Sequence, residues 1–227
     1  MSEFILAINP GSTSTKLTVF NGDELTFEMT LRHAAEDLAT FDGVAGQYAY
    51  RRQMIETVLQ KKGFDIASLA AVVGRGGLLR PISGGTYLVT NSMIADLTSA
   101  VRGEHASNLG GLLAKEIADR LGIDAYIVDP VVVDELEPVA RLSGHPAIER
   151  KSIFHALNQK AVARKYAEKI NAAYDGLNLV VAHLGGGVSV GAHRRGKVID
   201  VNNALDGDGP FSPERSGGLP VGDLVRL

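Results

Sequence analysis

Val181-Ala-His-Leu-Gly-Gly-Gly187 is a short apolar run that ends in a histidine, a leucine and three consecutive glycines. Its design repeats that of Ile5-Leu-Ala-Ile-Asn-Pro-Gly-Ser-Thr-Ser-Thr-Lys16, another apolar run closed by a glycine-containing turn. Each is followed by a second strand-like run, Leu17–Phe20 and Val188–Ala192. Three glycines in a row cost backbone entropy, and close approach of a ligand phosphate is one reason to accept that cost. Two strand–turn–strand units of this kind predict two facing phosphate loops that hold a nucleotide across a cleft.

The pattern around each unit is that of an α/β fold. Phe4–Ile8, Lys16–Phe20 and Glu24–Leu31 read as three antiparallel strands, with Asn21-Gly22-Asp23 as a hairpin turn. Gln47–Lys61 reads as a helix with Tyr48, Arg51, Ile55 and Val58 on one face and Gly63 as its stop. Leu69–Val73 is a buried strand, Asn108–Leu121 a helix capped by Gly122, and Ala125–Val128 a strand ending at Asp129-Pro130. Ser152–Asn171 reads as a long helix with Ile153, Leu157 and Ala161 in i,i+4 steps. A second meander follows in Leu179–Ala182, Val188–Ala192 and Lys197–Val201, with Arg195-Gly196 as a turn. The order βββ-α-β-α-β-α thus restarts near Ala172–Asn178. The expected domains are 1–174 and 175–227, the second an incomplete copy whose meander has no helix to cover it. Truncation, or completion by another polypeptide, is the expectation that follows.

Composition narrows the function. Hydrophobic residues make up 45% and charged residues 22% of the 227, as in ordinary globular proteins. A net charge of −3 gives no footprint for nucleic acid or an anionic membrane. There is no cysteine, which excludes disulfides and thiolate metal sites and fits the cytoplasm.

Several residues have the chemistry of a phosphoryl-transfer site. In the first loop, Asn9, Ser12, Ser14 and Lys16 supply donors and one cation, although the Gly-Lys-Ser/Thr ending of a Walker A loop is missing. A plain polar hairpin would read the same. In the second, His183 stands before Gly185, Gly186 and Gly187. Arg75 lies beside glycines at a strand end and Arg215 among small residues, where a guanidinium can grip a carboxylate or phosphate. Solvated loop arginines fit as well. Asp129, at a strand's C-terminal end, suits a Mg²⁺ ligand or a turn-forming Asp-Pro. His155 begins a helix and also suits a packed or capping role. His33, His105, His145 and His193 read as structural or exposed.

Together these segments resemble the acetate and butyrate kinase family, within the actin-like ATPase superfold. The Asn9–Lys16 loop resembles the family's first signature and Val181–Gly187 its second. Glycine stands at 186 where acetate kinases have asparagine, and Arg75-Gly-Gly is shorter than their arginine loop. Glu104-His-Ala-Ser-Asn108 and Ala204-Leu-Asp-Gly-Asp-Gly-Pro-Phe-Ser-Pro-Glu-Arg-Ser-Gly217 look like the butyrate kinases. The resemblance runs along the whole chain. It implies an α/β, duplicated ribonuclease H-like fold, with mixed sheets opened by antiparallel meanders. It implies ATP and Mg²⁺ as cofactors, a short-chain fatty acid or acyl phosphate as partner, and a homo-oligomer. Asn9, Ser12, Ser14 and Lys16 would line the first phosphate loop; Arg75 and Arg215 would bind the carboxylate and the phosphoryl group. Asp129 would serve the metal. His183 would donate to the γ-phosphoryl group, with His155 nearby. A glutamate at the metal site and most of the adenosine pocket would fall beyond Leu227, so little activity is expected of this chain alone. The glycines at 76 and 77 are expected to leave room for a longer acyl chain.

Overall fold

The structure is a computed structural model and describes residues 4–206 and 208–227. Gly207 of the Ala204–Gly217 motif lies outside the described residues. The strands are β1 (Phe4–Pro10), β2 (Ser14–Asn21), β3 (Glu24–Arg32), β4 (Leu69–Arg75), β5 (Thr86–Leu88), β6 (Asp124–Val128), β7 (Asn178–Leu184), β8 (Val188–Arg194) and β9 (Lys197–Val201). The helices are α1 (Ala35–Leu38), α2 (Tyr48–Lys61), α3 (Asn91–Ser99), α4 (Asn108–Leu121), α5 (Ala156–Lys169) and α6 (Val221–Leu224). They form two compact units: residues 1–80 with 85–130, and residues 81–84 with 131–227.

In the first unit the sheet order is β3-β2-β1-β4-β6-β5. The meander β1-β2-β3 is antiparallel, whereas β1, β4 and β6 run parallel. Alternation buries Leu6 and Ile8 of β1 and Leu17 and Val19 of β2, and Val72 and Ile127 continue this core. Helix α4 contributes Leu109, Leu113 and Ile117 to the core, and α2 contributes Ile55 and Leu59. Helix α4 lies on the strand backbone itself. A Cβ on Gly110 would stand 2.2 Å from the Arg75 carbonyl oxygen, and one on Gly74 would stand 2.1 Å from that of Gly110. Strand β5 and helix α3 were not expected from the sequence. The strand has only three residues at a sheet edge, too few to show alternation. The helix is announced only by Thr90, whose hydroxyl accepts from the Met93 amide.

The second unit contains the sheet β7-β8-β9, antiparallel throughout. Its turn at Arg195-Gly196 has φ of 48° and 80°, the hand that suits a two-residue hairpin. Val133, Leu136, Ala140, Phe154, Ala156, Val198 and Val201 form its apolar core. Lys160 and Glu135 make an ion pair at 2.9 Å, and both side chains are buried. The same Glu135 carboxylate accepts from the amides of Gly84 and Val198. One charged pair therefore ties three segments of the unit together.

Two expectations need correction here. The helix expected over Ser152–Asn171 starts only at Ala156, and its buried face is Ala156, Gln159, Lys160, Ala163 and Ala167 rather than Ile153, Leu157 and Ala161. Leu157 is 42% exposed. Small alanines and two polar residues with buried partners make that face, so an apolar periodicity points to the wrong side. The second meander is also not bare. Helix α5 packs against β7 and β8, with the Gln159 amide donating to the Ser189 carbonyl at 2.9 Å. Because that helix packs with the strands that follow it, the compact units divide at Pro130/Val131. The βββ pattern restarts later, near residue 175.

Candidate active site

The residues expected at a phosphoryl-transfer site divide between the two units. In the first unit, the β1–β2 turn carries Ser12 and is closed by the Gly11 amide donating to the Ser14 carbonyl at 2.7 Å. Register places Asn9 opposite Lys16. Arg75, at the end of β4, donates to the Asn9 side-chain oxygen at 3.4 Å, so the structure joins these two expected residues. Burial lowers the Arg75 pKa from its ordinary value. Lys16 forms an ion pair with Glu28 of β3 at 2.8 Å, so its charge is shared with a neighbouring carboxylate.

Asp129 is buried and has φ of 38°, a backbone conformation that costs a non-glycine residue energy. It is held there reciprocally by Gly85. The Gly85 amide donates to the Asp129 carboxylate at 2.8 Å, and the Asp129 amide donates to the Gly85 carbonyl at 2.9 Å. Among the described residues no group of three acidic or histidine side chains could cage a metal. A single fixed carboxylate does fit Mg²⁺, which keeps most of its water and leans on substrate phosphates.

The glycines after Arg75 have a different task from the one expected of them. A Cβ on Gly76 would meet Pro130 at 2.5 Å, and one on Gly77 would meet the Asn108 side-chain oxygen at 2.4 Å. These positions are filled by neighbouring protein and leave no room for an acyl chain. The Glu104–Asn108 motif explains why. Asn108 accepts from the Leu78 amide at 2.9 Å and donates to the Gly103 carbonyl at 3.1 Å, clamping the segment after Arg75. Glu104 accepts from the Val44 amide at 2.8 Å and holds the turn that leads into α2.

In the second unit, His183 ends β7 and stacks on His155, with ring centroids 3.7 Å apart and planes 8° from parallel. The Asn158 amide nitrogen lies 2.8 Å from His183 Nδ1. Ser189 Oγ accepts from Gln159 Nε2 at 2.9 Å and lies 3.1 Å from His155 Nδ1. The glycine triplet lies against these rings: a Cβ on Gly185 would stand 3.0 Å from His183 Nε2, and one on Gly187 would stand 3.5 Å from His155 Cε1. Gly186 faces the Arg215 loop, its carbonyl accepting from the Ser212 hydroxyl at 2.6 Å and the Glu214 amide at 3.1 Å. The structure therefore brings His155, His183, Gly185–Gly187 and the Arg215 loop together. Arg215 donates to the Glu214 carbonyl at 3.0 Å.

The chain is similar to known proteins along its whole length. The model of the acetokinase family matches residues 142–212. A probable butyrate kinase of Listeria innocua is 60% identical over 226 residues, which is 100% of this chain and 64% of that protein. Along its whole length the chain is similar to proteins named as butyrate kinases, and within residues 142–212 to the acetokinase family. Butyrate kinase 2 of Clostridium acetobutylicum is 60% identical over 223 residues, 98% of this chain and 63% of that one. The chain thus spans a little under two thirds of the length of these acetokinase relatives. Acetate kinase from Porphyromonas gingivalis superposes with a TM-score of 0.75 at 18% identity, covering 99% of this chain and 63% of that chain. A propionate kinase from Francisella tularensis gives 0.68 at 18% identity, with 100% and 64% covered. The fold is that of these acetate and propionate kinase structures, the actin-like ATPase fold.

Two polar residues near the family's signature loops were not singled out in the sequence. Arg51 of α2 is 0% exposed and donates to three carbonyls of the first loop. Its position on the apolar face beside Ile55 was the available signal. Gln159 of α5 is equally buried and links Ser189 to His193, whose Nε2 lies 3.0 Å from the Gln159 oxygen. Burial and then the Lys160 charge hold His193 down at a pKa of about 4, so it is neutral and structural.

Proposed function

We propose that this chain belongs to a short-chain fatty-acid kinase that converts ATP and butyrate to ADP and butyryl phosphate. The observation that carries this reading is 60% identity along the whole chain with proteins named as butyrate kinases. The arrangement of each unit supports it. A carboxylic acid with a pKa near that of a Glu side chain, about 4.3, is already ionised at neutral pH, so no general base is required. The chemical problem is repulsion between the acid and an anionic phosphate. Arg75, oriented by Asn9, and Arg215, beside the Gly186 turn, would offset it. His183 and His155, held through Nδ1 by Asn158 and Ser189, would bind phosphoryl oxygens through Nε2. Asp129 would hold Mg²⁺, directly or through water, and the ion would supply charge to the phosphates.

In this reading the first hairpin loop belongs to an amino-terminal domain of residues 1–174 and the second to a domain that starts at 175, each loop contacting phosphate. The protein works in the cytoplasm as a homo-oligomer. It has no nucleic-acid or membrane partner. Among the described residues no helix is long and apolar enough to cross a membrane. The test is hydroxamate trapping of the acyl phosphate, run on the product of the complete reading frame that carries this sequence, with acetate, butyrate and isobutyrate in parallel. The reading predicts butyrate as the better acceptor. Equal or faster use of acetate removes the butyrate assignment, and ATP turnover independent of any acid removes the kinase assignment.

A further inference from the structure

The hairpin loop at Gly11–Thr15 rests on one side chain. Arg51 Nη1 donates to the carbonyls of Gly11 at 2.9 Å and Ser14 at 3.1 Å, and to the Thr15 hydroxyl at 3.1 Å. Its Nη2 donates to the Ser12 carbonyl at 3.0 Å. The Gln47 side-chain oxygen takes Nε at 3.1 Å and Nη2 at 2.8 Å. Every one of these acceptors is neutral, so the guanidinium charge is solvated by dipoles. In a trans peptide the C=O of one residue and the N–H of the next point in opposite directions. Carbonyls of Gly11 and Ser12 turned toward Arg51 therefore turn the amides of Ser12 and Thr13 away from it. A pair of amides directed to one side, backed by a buried cation, is the arrangement that binds a phosphate oxygen.

We propose that Arg51 is a positioning residue for the first phosphate loop: it sets the peptide planes that aim the Ser12 and Thr13 amides at the nucleotide and places a positive charge behind them. The proposal rests on the kinase reading for its ligand but on geometry alone for its structural half. Gln47 fixes the guanidinium plane. Glu104 holds the turn that precedes Gln47, through the Val44 amide at 2.8 Å and the Ala45 amide at 3.4 Å. This gives the Glu104–Asn108 motif a second task besides clamping the segment after Arg75.

The test uses the product of the complete reading frame that carries this sequence and two substitutions, Arg51→Lys and Gln47→Leu. The first keeps the charge but loses the planar fork; the second keeps the arginine but frees its plane. Two quantities are read: the affinity for MgATP by calorimetry, and the backbone amide shifts of Ser12 and Thr13 by NMR, with the β4 and α4 amides as a check on the fold. Loss of charge-assisted bonds predicts roughly tenfold weaker MgATP binding for Arg51→Lys and a smaller loss for Gln47→Leu. Ser12 and Thr13 shifts should move in both while those of β4 and α4 stay. Unchanged Ser12 and Thr13 shifts in both variants overturn the proposal. Wild-type affinity for MgATP in Arg51→Lys overturns it too. If the unsubstituted chain takes up no MgATP, the phosphate-loop reading falls, and the amide shifts still decide whether Arg51 sets the planes.

Discussion

Thr15 and Ser189 hold the same place in two meanders. Each is the second residue of the second strand, each carries a hydroxyl, and each is 0% exposed. Each is gripped by the fourth residue of a 14-residue helix, Arg51 in α2 and Gln159 in α5. A histidine completes both arrangements: His33 Nε2 lies 2.9 Å from Thr15 Oγ1, and His155 Nδ1 lies 3.1 Å from Ser189 Oγ. The difference is charge. Under the first loop sits a cation that pulls carbonyls inward; behind the second sits a neutral amide that links Ser189 to His193. On the proposed reading the first loop is a backbone cradle and the second presents a pair of histidine side chains. One hairpin design serves two electrostatic tasks through the choice of a single buried helix residue.

The comparison can be broken most sharply by removing each grip. Arg51→Met leaves three loop carbonyls and the Thr15 hydroxyl without their donor. Hydrogen bonds to a charged donor contribute about 1.5–3 kcal/mol each before relaxation and rehydration, so a net loss of about 4 kcal/mol in urea unfolding is expected. Gln159→Met, nearly the same shape, should cost about 2 kcal/mol, since fewer partners are stranded. Equal losses would mean that the charge difference does not matter for the two loops.

Acid sharpens the comparison next. His33 is held at a pKa of about 4 by burial and then by the Arg51 charge, with Asp37 opposing. His193 is held at about 4 by burial and then by Lys160, with Glu135 opposing. Both pKa values lie below the unfolded value of 6.5, so the unfolded chain takes up protons first as pH falls. Their contribution is complete above pH 6.5 and is lost as pH drops toward about 4, by roughly 3 kcal/mol for each ring. Stability measured against pH should flatten by that amount in His33→Gln and in His193→Gln separately. A wild-type slope retained in either variant excludes that ring from the transition.

The paired loops were legible because glycine, proline and hydroxyl residues punctuate strands in a way that survives without coordinates. The second meander and Gly122 at the end of α4 were legible for the same reason, as Gly122 has the positive φ of 68° that a helix stop requires. Arg51 and Gln159 were not legible. A polar residue on a helix's inner face acquires meaning only from what lies beneath it, and that is a hairpin distant in sequence. The ownership of α5 was hidden too, since its buried face is alanine, glutamine and lysine. The glycines at 76 and 77 misled because a missing side chain signals close approach but not what approaches: here Pro130 and Asn108.

The central claim is the proposed phosphoryl transfer to a carboxylate. It is tested most directly by a double-mutant cycle on butyryl phosphate formation, with Arg75→Ala in one unit and His183→Ala in the other, on the complete protein. Each alone should lower kcat by about 100-fold or more. If both act on the same transition state, the double variant should lose far less than the product of the two effects. Fully multiplicative losses, or wild-type turnover in either single variant, would contradict the account.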